Sequence, residues 1–235
     1  MIDVVIINKS ENPLEIKQMM DCLLKGNNIE NIYYIADRCS KEFIHELLNY
    51  SEPKLKIRNV NDNFIGRRSS SLRNIGYSFA KLDFDKINGV LFIDGDRFFI
   101  EGSTDLIEED KINNIPIEDL RENTTDDYLL MFKDQILNLF YSACVYLPKE
   151  VCLKLENHSY KGLLWNEDIE NIWGIEDIFM GNQLSILGIN YSYNRGIKLN
   201  NTEMTGYKNI NDNLNNMIYL MKAIVDYKKY LGLEI

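Results

Sequence analysis

Gly89-Val90-Leu91-Phe92-Ile93-Asp94-Gly95-Asp96-Arg97-Phe98-Phe99 is the stretch that decides how the rest of the chain reads. Residues 89–93 are apolar, partly β-branched and without alternation. Such a run fits a strand covered on both faces. It stops at Asp94-Gly95-Asp96, and open α/β sheets bind ligands beyond the carboxyl ends of their strands. Two carboxylates two positions apart share one side of an extended backbone. Gly95 between them permits a close approach. Hard oxygen ligands at a strand end suit a divalent cation that also holds phosphates. Taken alone, the same three residues also read as an acidic turn after a buried strand.

The chain has 235 residues, 45% hydrophobic and 26% charged, which suits one large α/β domain or two small ones. The net charge of −10 argues against a nucleic-acid partner, which needs a basic footprint. For an anionic nucleotide ligand that charge would have to be offset, and a bound cation would offset it. No apolar run approaches transmembrane length and no basic-then-apolar leader opens the sequence, so a cytoplasmic protein is expected. Cys22, Cys39, Cys144 and Cys152 form no CxxC and match no zinc spacing, so reduced thiols are expected.

Working outward in order, residues 3–7 read as a buried strand. Asn12-Pro13 opens a helix, carried by Ile16, Met19, Met20, Leu23 and Leu24 and closed at Gly26. Residues 31–35 form a second strand, ending at Asp37. Ser40 caps a helix with Phe43, Ile44, Leu47 and Leu48 on its stripe. Residues 54–60 form a third strand, and 65–80 a helix carrying Arg67, Arg68, Ser69, Ser70, Ser71 and Arg73. Alternation of strand and helix predicts an α/β fold with a mostly parallel sheet. From 101 to 127 the pattern dissolves into a polar, acidic segment, read as a lid over the site or a surface excursion, with a helical turn near 117–121. Residues 128–132 and 137–147 read as strands, 148–155 as a short helix and 157–171 as polar connection. A helix from the Trp173 motif to Leu187 is stopped by Gly188, and 189–193 is a last strand. A C-terminal helix over 211–231 presents Leu214, Met217, Ile218, Met221 and Val225 on one face. No internal repeat and no domain boundary stand out.

Three stretches then line up: Arg73-Asn74-Ile75-Gly76 ahead of Asp94-Gly95-Asp96, the strand-end Asp37 with Ser40, and Trp173-Gly174-Ile175-Glu176-Asp177 with Gly181, Leu184 and Gly188 behind it. Together they resemble GT-A-fold glycosyltransferases of the family 2 type, nearest by motif to enzymes with a Trp-Gly-x-Glu-Asp acceptor motif such as β-galactosyltransferases and chondroitin-polymerase-like enzymes. The resemblance covers roughly residues 2–195. It implies a GT-A domain, taken over 1–205, with a mixed, mostly parallel sheet flanked by helices. The C-terminal helix lies outside the resemblance; residues 206–235 are read from their own pattern as a helix packed on or extending that domain and as a candidate homodimer surface.

The resemblance also implies roles. The donor is a nucleotide-diphosphate sugar, commonly a UDP-sugar, and the acceptor a hydroxyl of a glycan or other molecule. Asn8 falls where the first strand meets the base, and Asp37 on the acid that contacts base or ribose. Arg73 matches the arginine ahead of the Asp-x-Asp strand. Arg67 and Arg68, read from residue type and not from the resemblance, make surface or phosphate contacts, and Arg67 is taken as donor-binding. Asp94 and Gly95 face ribose or sugar, and Asp94 and Asp96 hold Mn2+ or Mg2+. Trp173, Gly174 and Glu176 receive the acceptor, and Asp177 is the general base. The sequence departs from the pattern in three places. No histidine follows position 158, where a further metal ligand is usual. Phe179 and Gln183 stand where an acid and an arginine are common.

Physically, transfer makes the sugar oxocarbenium-like while the diphosphate gains charge. A carboxylate within reach takes the acceptor proton, and its position at a helix N-terminus favours its ionised form. A base opposite the leaving group implies single displacement and inversion. A catalytically degenerate nucleotide- or glycan-binding protein is the alternative. Less favoured is a sugar-phosphate nucleotidylyltransferase, since Ile7-Asn8-Lys9-Ser10 lacks the glycine-rich loop that chemistry needs. Without the resemblance, Glu176-Asp177 reads as an acidic first turn and Trp173 as core.

Overall fold

A computed structural model describes residues 1–8, 12–50, 52–63, 68–95, 97–101, 103–115, 140, 142–159, 161–167, 175–194, 196–201 and 213–233. Strands β1 (Ile2–Asn8), β2 (Ile29–Asp37), β3 (Leu55–Val60) and β4 (Gly89–Asp94) alternate with helices α1 (Pro13–Leu23), α2 (Lys41–Leu48) and α3 (Arg68–Ala80). There follow β5 (Arg97–Glu101), β6 (Asn113–Asn114), β7 (Cys144–Pro148), α4 (Lys149–Asn157), α5 (Ile175–Ile186), β8 (Ser192–Tyr193), β9 (Lys198–Asn201) and α6 (Asn213–Tyr230). The main sheet runs β3-β2-β1-β4-β7-β6-β8, and β5 pairs with β9 beside it. β1, β2, β3 and β4 are mutually parallel, whereas β7 runs antiparallel to both β4 and β6. The fold is thus a mixed, mostly parallel sheet between helices.

The absence of alternation in the apolar runs has its cause here. Leu91 and Ile93 face one cluster with Ile2, Val4, Ile6 and the α1 residues Ile16, Met19 and Met20. Val90 and Phe92 face the other, with Val5, Ile7, Leu72, Trp165, Met180 and Leu184. Both faces of β1 and β4 are therefore dry, and a fully buried aliphatic or aromatic side chain there contributes about 1.5–3 kcal/mol. The helix starts follow their caps. Asn12 accepts from the Leu14 amide at 3.2 Å and Ser40 from the Phe43 amide at 3.3 Å.

Several boundaries differ from the sequence reading. Gly26 does not close α1 by a left-handed turn. The α1 cap, Leu24, is right-handed, and Gly26 is small because a Cβ there would run into Thr104. Part of the 101–127 segment is packed, not an excursion. Ile107, Ile112 and Ile115 are buried, and Asn113–Asn114 is a strand of the main sheet, pairing Asn113 with Tyr146. Short polar strands such as Asn-Asn carry no periodic signal, so the reading passed over them. The β5–β9 ribbon was missed because it joins segments far apart in sequence, Arg97–Glu101 and Lys198–Asn201. Of the strand expected over 137–147, residues 137–139 and 141 lie outside the described residues, and the described strand is Cys144–Pro148, preceded by a turn at 142–143. The last strand shrinks to Ser192–Tyr193. The expected strand at 128–132, the turn near 117–121 and the first residues of the 65–80 helix lie outside the described residues. On α6 Tyr227 is buried, edge-on to Phe179 at 5.8 Å, and Met221 is exposed; the side chains of Leu214, Met217 and Ile218 lie outside those described. All four cysteines are free thiols, three of them buried.

Candidate active site at the carboxyl edge of the sheet

Asn8, Asp37 and Asp94 end three adjoining parallel strands, so backbone register alone brings these three sequence-assigned residues to one edge. Ile7 pairs with Asp94 and Asn8 with Ala36. Gly95 then turns the chain with its amide donating to the Ile7 carbonyl at 2.7 Å. A Cβ on Gly95 would come closer than 3.0 Å to the Asn8 side chain, which fixes glycine there. Asn8 itself is buried and donates to the Tyr34 hydroxyl.

Asp37 is held by two cations. Arg68 Nη2 donates to its Oδ1, and Arg38 Nε reaches the same oxygen at 3.2 Å. Burial pushes the Asp37 carboxyl up, but the hydrogen bonds from Arg68 and Arg38 outweigh it and hold the carboxyl below its ordinary value. Arg38 adopts a left-handed backbone, φ 56°, uncommon for a residue with a side chain. The sequence reading took Arg67 as donor-binding. Arg67 lies outside the described residues, and its neighbour Arg68 is one of the two arginines on Asp37.

Arg73 is the hub. Its side chain is 1% exposed, and Nη2 donates to Asp94 Oδ1 at 2.7 Å and to the Ser142 carbonyl at 3.3 Å. Nη1 stands 4.0 Å from Glu176 Oε1, and the guanidinium lies 4.8 Å from the centre of the Trp165 ring. A buried charge persists only when paired, and Arg73 meets two carboxylates and an aromatic face. The next residues explain the rest of the Arg-Asn-x-Gly run. Asn74 Nδ2 donates to the Trp165 carbonyl at 2.7 Å and to Glu167 at 2.8 Å, while its Oδ1 accepts from the Trp165 amide at 2.8 Å. Gly76 lets α3 lie against β1, since a Cβ there would strike Val5. The run is thus a bracket joining α3 to the sheet and to residues 165–167. Trp165, which sequence reading passed over, is buried. Trp173 and Gly174 lie outside the described residues.

Glu176 and Asp177 open α5 and diverge. Glu176 is buried and its Oε1 accepts from Ser69 Oγ at 3.2 Å. Asp177 Oδ1 accepts from the Ser142 amide at 2.9 Å and from the Ser142 hydroxyl. The helix N-terminus was expected to favour the ionised form of Asp177. The net effect is the reverse: burial and the neighbouring Glu176 charge push its carboxyl up, to about 7, against the Ser142 hydrogen bonds and Arg73. Loss of hydration is larger here than the half charge at a helix end supplies. Ser142 was missed because nothing in a turn sequence marks a residue whose partners lie 35 and 69 positions away.

For a divalent cation, Asp94 offers a hard carboxylate at the edge, 31% exposed. It fits as one donor of such a set, sharing its charge with Arg73. Its sequence-assigned partner Asp96 lies outside the described residues, and among the described residues no group of three His, Cys, Asp or Glu gathers for a metal. Among the described residues no helix is long and apolar enough to cross a membrane.

Comparison with known proteins adds to this geometry. No family model matches the chain, and no curated protein matches its sequence. Among solved structures the fold matches the mannosyltransferase PcManGT from Pyrobaculum calidifontis, determined in complex with GDP-Man and Mn2+. The TM-score is 0.56 at 9% identity over 87% of this chain, which spans 58% of that protein. The chain therefore has a glycosyltransferase fold.

Proposed function

We propose that this chain is a metal-dependent inverting glycosyltransferase, moving a sugar from a nucleotide-diphosphate donor to an acceptor hydroxyl. The observation that carries the reading is the convergence on Arg73: the strand-end acid Asp94, the α5 acid Glu176 and the Ser142 carbonyl are drawn to one buried guanidinium. Acids assigned to donor and to acceptor thereby share one edge of the sheet.

In this reading Asn8 and Asp37 line the base and ribose end. Asp94 and Asp96 hold Mn2+ or Mg2+, which when bound neutralises charge developing on the leaving diphosphate. Arg73 pairs with Asp94 and orients it through a charge-assisted hydrogen bond. Glu176, with Trp173 and Gly174, receives the acceptor. Asp177 takes the hydroxyl proton as the oxygen attacks the anomeric carbon. Both Ser142 bonds fall on Oδ1, so they do not use Oδ2. A carboxyl with its pKa raised to about 7 is matched to proton transfer near neutral pH.

The donor base is proposed as uracil, and the GDP-Man of the structural neighbour adds guanine to the test. A panel of UDP- and GDP-sugars with Mn2+ and simple glycoside acceptors is the experiment. Nucleoside diphosphate release with formation of an inverted product is expected. Nucleotide binding without release for the whole panel would replace the enzyme reading with that of a non-catalytic nucleotide- or glycan-binding protein.

A further inference from the structure

Ser142 stands where the two halves of the site cross. It is 2% exposed, in the turn leading into β7. Its carbonyl accepts from Arg73 Nη2, the same nitrogen that holds Asp94. Its amide and its hydroxyl both donate to Asp177 Oδ1. The next residue is pinned too, for the Ala143 carbonyl accepts from the Asp94 amide at 2.8 Å. One dipeptide thus touches the strand-end acid, its arginine and the α5 acid.

We propose that Ser142 is a positioning residue for Asp177, aiming the carboxyl and setting the pH at which it becomes a base. This rests on the reading of Asp177 as the acceptor's base. A side-chain hydroxyl can serve only as one more turn hydrogen bond, but here both donors of one residue converge on a single oxygen of the half-buried Asp177 carboxylate. Hydrogen bonds to the charged form favour it, so Ser142 works against the burial and the Glu176 charge that favour the protonated form. The charged groups acting on Asp177 are Glu176 from its own helix and Arg73 from α3. Without Ser142 the carboxyl would stay protonated over more of the neutral range. The backbone amide alone supplies one of the two bonds, and the hydroxyl supplies the other, so the side chain can be removed without losing the turn.

The test uses Ser142→Ala, Ser142→Cys and Ser142→Thr in the full chain, with aspartate carboxyl carbons labelled for NMR and the Asp177 resonance assigned by its loss in Asp177→Asn. Ser142→Ala and Ser142→Cys should raise the midpoint of that resonance by about one pH unit, the order expected for one charge-assisted hydrogen bond. Ser142→Thr, which keeps a hydroxyl, should restore it. In transfer assays the acid limb of the kcat profile should move up with the midpoint. That lowers turnover about tenfold below the limb and leaves donor KM unchanged. An Asp177 midpoint that stays at the wild-type pH in both the Ala and Cys variants would overturn the proposal, as would an equal loss of turnover in Ser142→Thr. If the midpoint moves as stated while the wild-type chain transfers from no donor, Ser142 still positions Asp177 and only the glycosyltransferase reading falls.

Discussion

Asn74 holds both sides of the Trp165 residue, giving a hydrogen bond to its carbonyl at 2.7 Å and taking one from its amide at 2.8 Å. A side-chain amide carries a donor and an acceptor on neighbouring atoms, so it can do both at once. The segment it fixes carries the ring over which Arg73 lies. Asn74→Ala would leave two buried backbone groups without partners. A loss of about 2–6 kcal/mol is expected, at 1–3 kcal/mol for each orphaned group. Urea unfolding with an unchanged m-value would measure it, and a loss within 0.5 kcal/mol, the scatter of neutral surface changes, would show that the bracket is dispensable.

Asp3 sits at the opposite end of β1 from the site, fully buried. Its Oδ1 accepts from the Asn31 amide at 2.9 Å, while Oδ2 is buried without a hydrogen bond. Burial raises its carboxyl from 3.8 to about 6, and Asp83 adds to this against Asn31 and Lys56. The folded state therefore binds this proton more tightly than the unfolded one. Its contribution to stability is fully present below pH 3.8 and is lost as pH rises through 6. Asp3→Asn, which is neutral throughout, should then be more stable than wild type at pH 7, by up to roughly 2–3 kcal/mol, and should lose that advantage by pH 4. Thermal melts of the two proteins across this range would decide it. A gap that does not change with pH would mean that Asp3 stays ionised.

Gly95 is needed for space, since its Cβ would overlap Asn8. Asn8 cannot move away without breaking its bond to Tyr34. Gly95→Ala should therefore cost about 1–3 kcal/mol, the usual range for overpacking, and should weaken nucleotide binding more than it weakens the fold. Calorimetric titration with UDP and GDP beside an unfolding curve separates the two effects. Unaltered affinity would show that the turn can shift.

The strands and their ends were legible because β1 and β4 are dry on both faces, which leaves unbroken apolar runs, and because parallel strands stop where a ligand can enter. Asp94 was placed at a strand end by that logic, Asn8 and Asp37 were assigned through the family resemblance, and parallel register brings all three to one edge. The connections among them were not legible. Arg73 could be assigned to an anion from its type, but that it would be buried behind Asp94 depends on Trp165 and Glu176, which are 92 and 103 residues further on. The upward displacement of Asp177 was equally hidden, because a helix N-terminus is visible in sequence and loss of water is not. Short polar strands such as Asn113–Asn114 exist only by pairing, here with β7 and β8, and no local pattern announces them.

Removal of the divalent ion gives a direct test of the offset charge. With a net charge of −10 and Asp94 at the edge, a nucleoside diphosphate should bind weakly in chelator. Adding Mn2+ should tighten UDP or GDP at least tenfold, about 1.4 kcal/mol, which requires only one modest charge contact. Equal affinity with and without the ion would mean that arginines alone hold the phosphates.

The last prediction concerns Asp177 itself. Asp177→Asn keeps the shape and can still accept from Ser142, but it cannot take a proton. Asp37 and Asp94 are untouched, so donor and metal should still bind. Turnover should fall by roughly two to four orders of magnitude, the usual worth of a positioned general base. In wild type the carboxyl lies near 7, so turnover should decline as pH drops through that value, and the residual rate of Asp177→Asn should show no such limb. Asp96→Asn should behave differently and lose metal-dependent donor binding. Product configuration by NMR completes the test, because a base opposite the leaving group demands inversion. A retained anomer, or near wild-type turnover in Asp177→Asn, would return Glu176-Asp177 to the role of an acidic helix start, with Ser142 merely its cap.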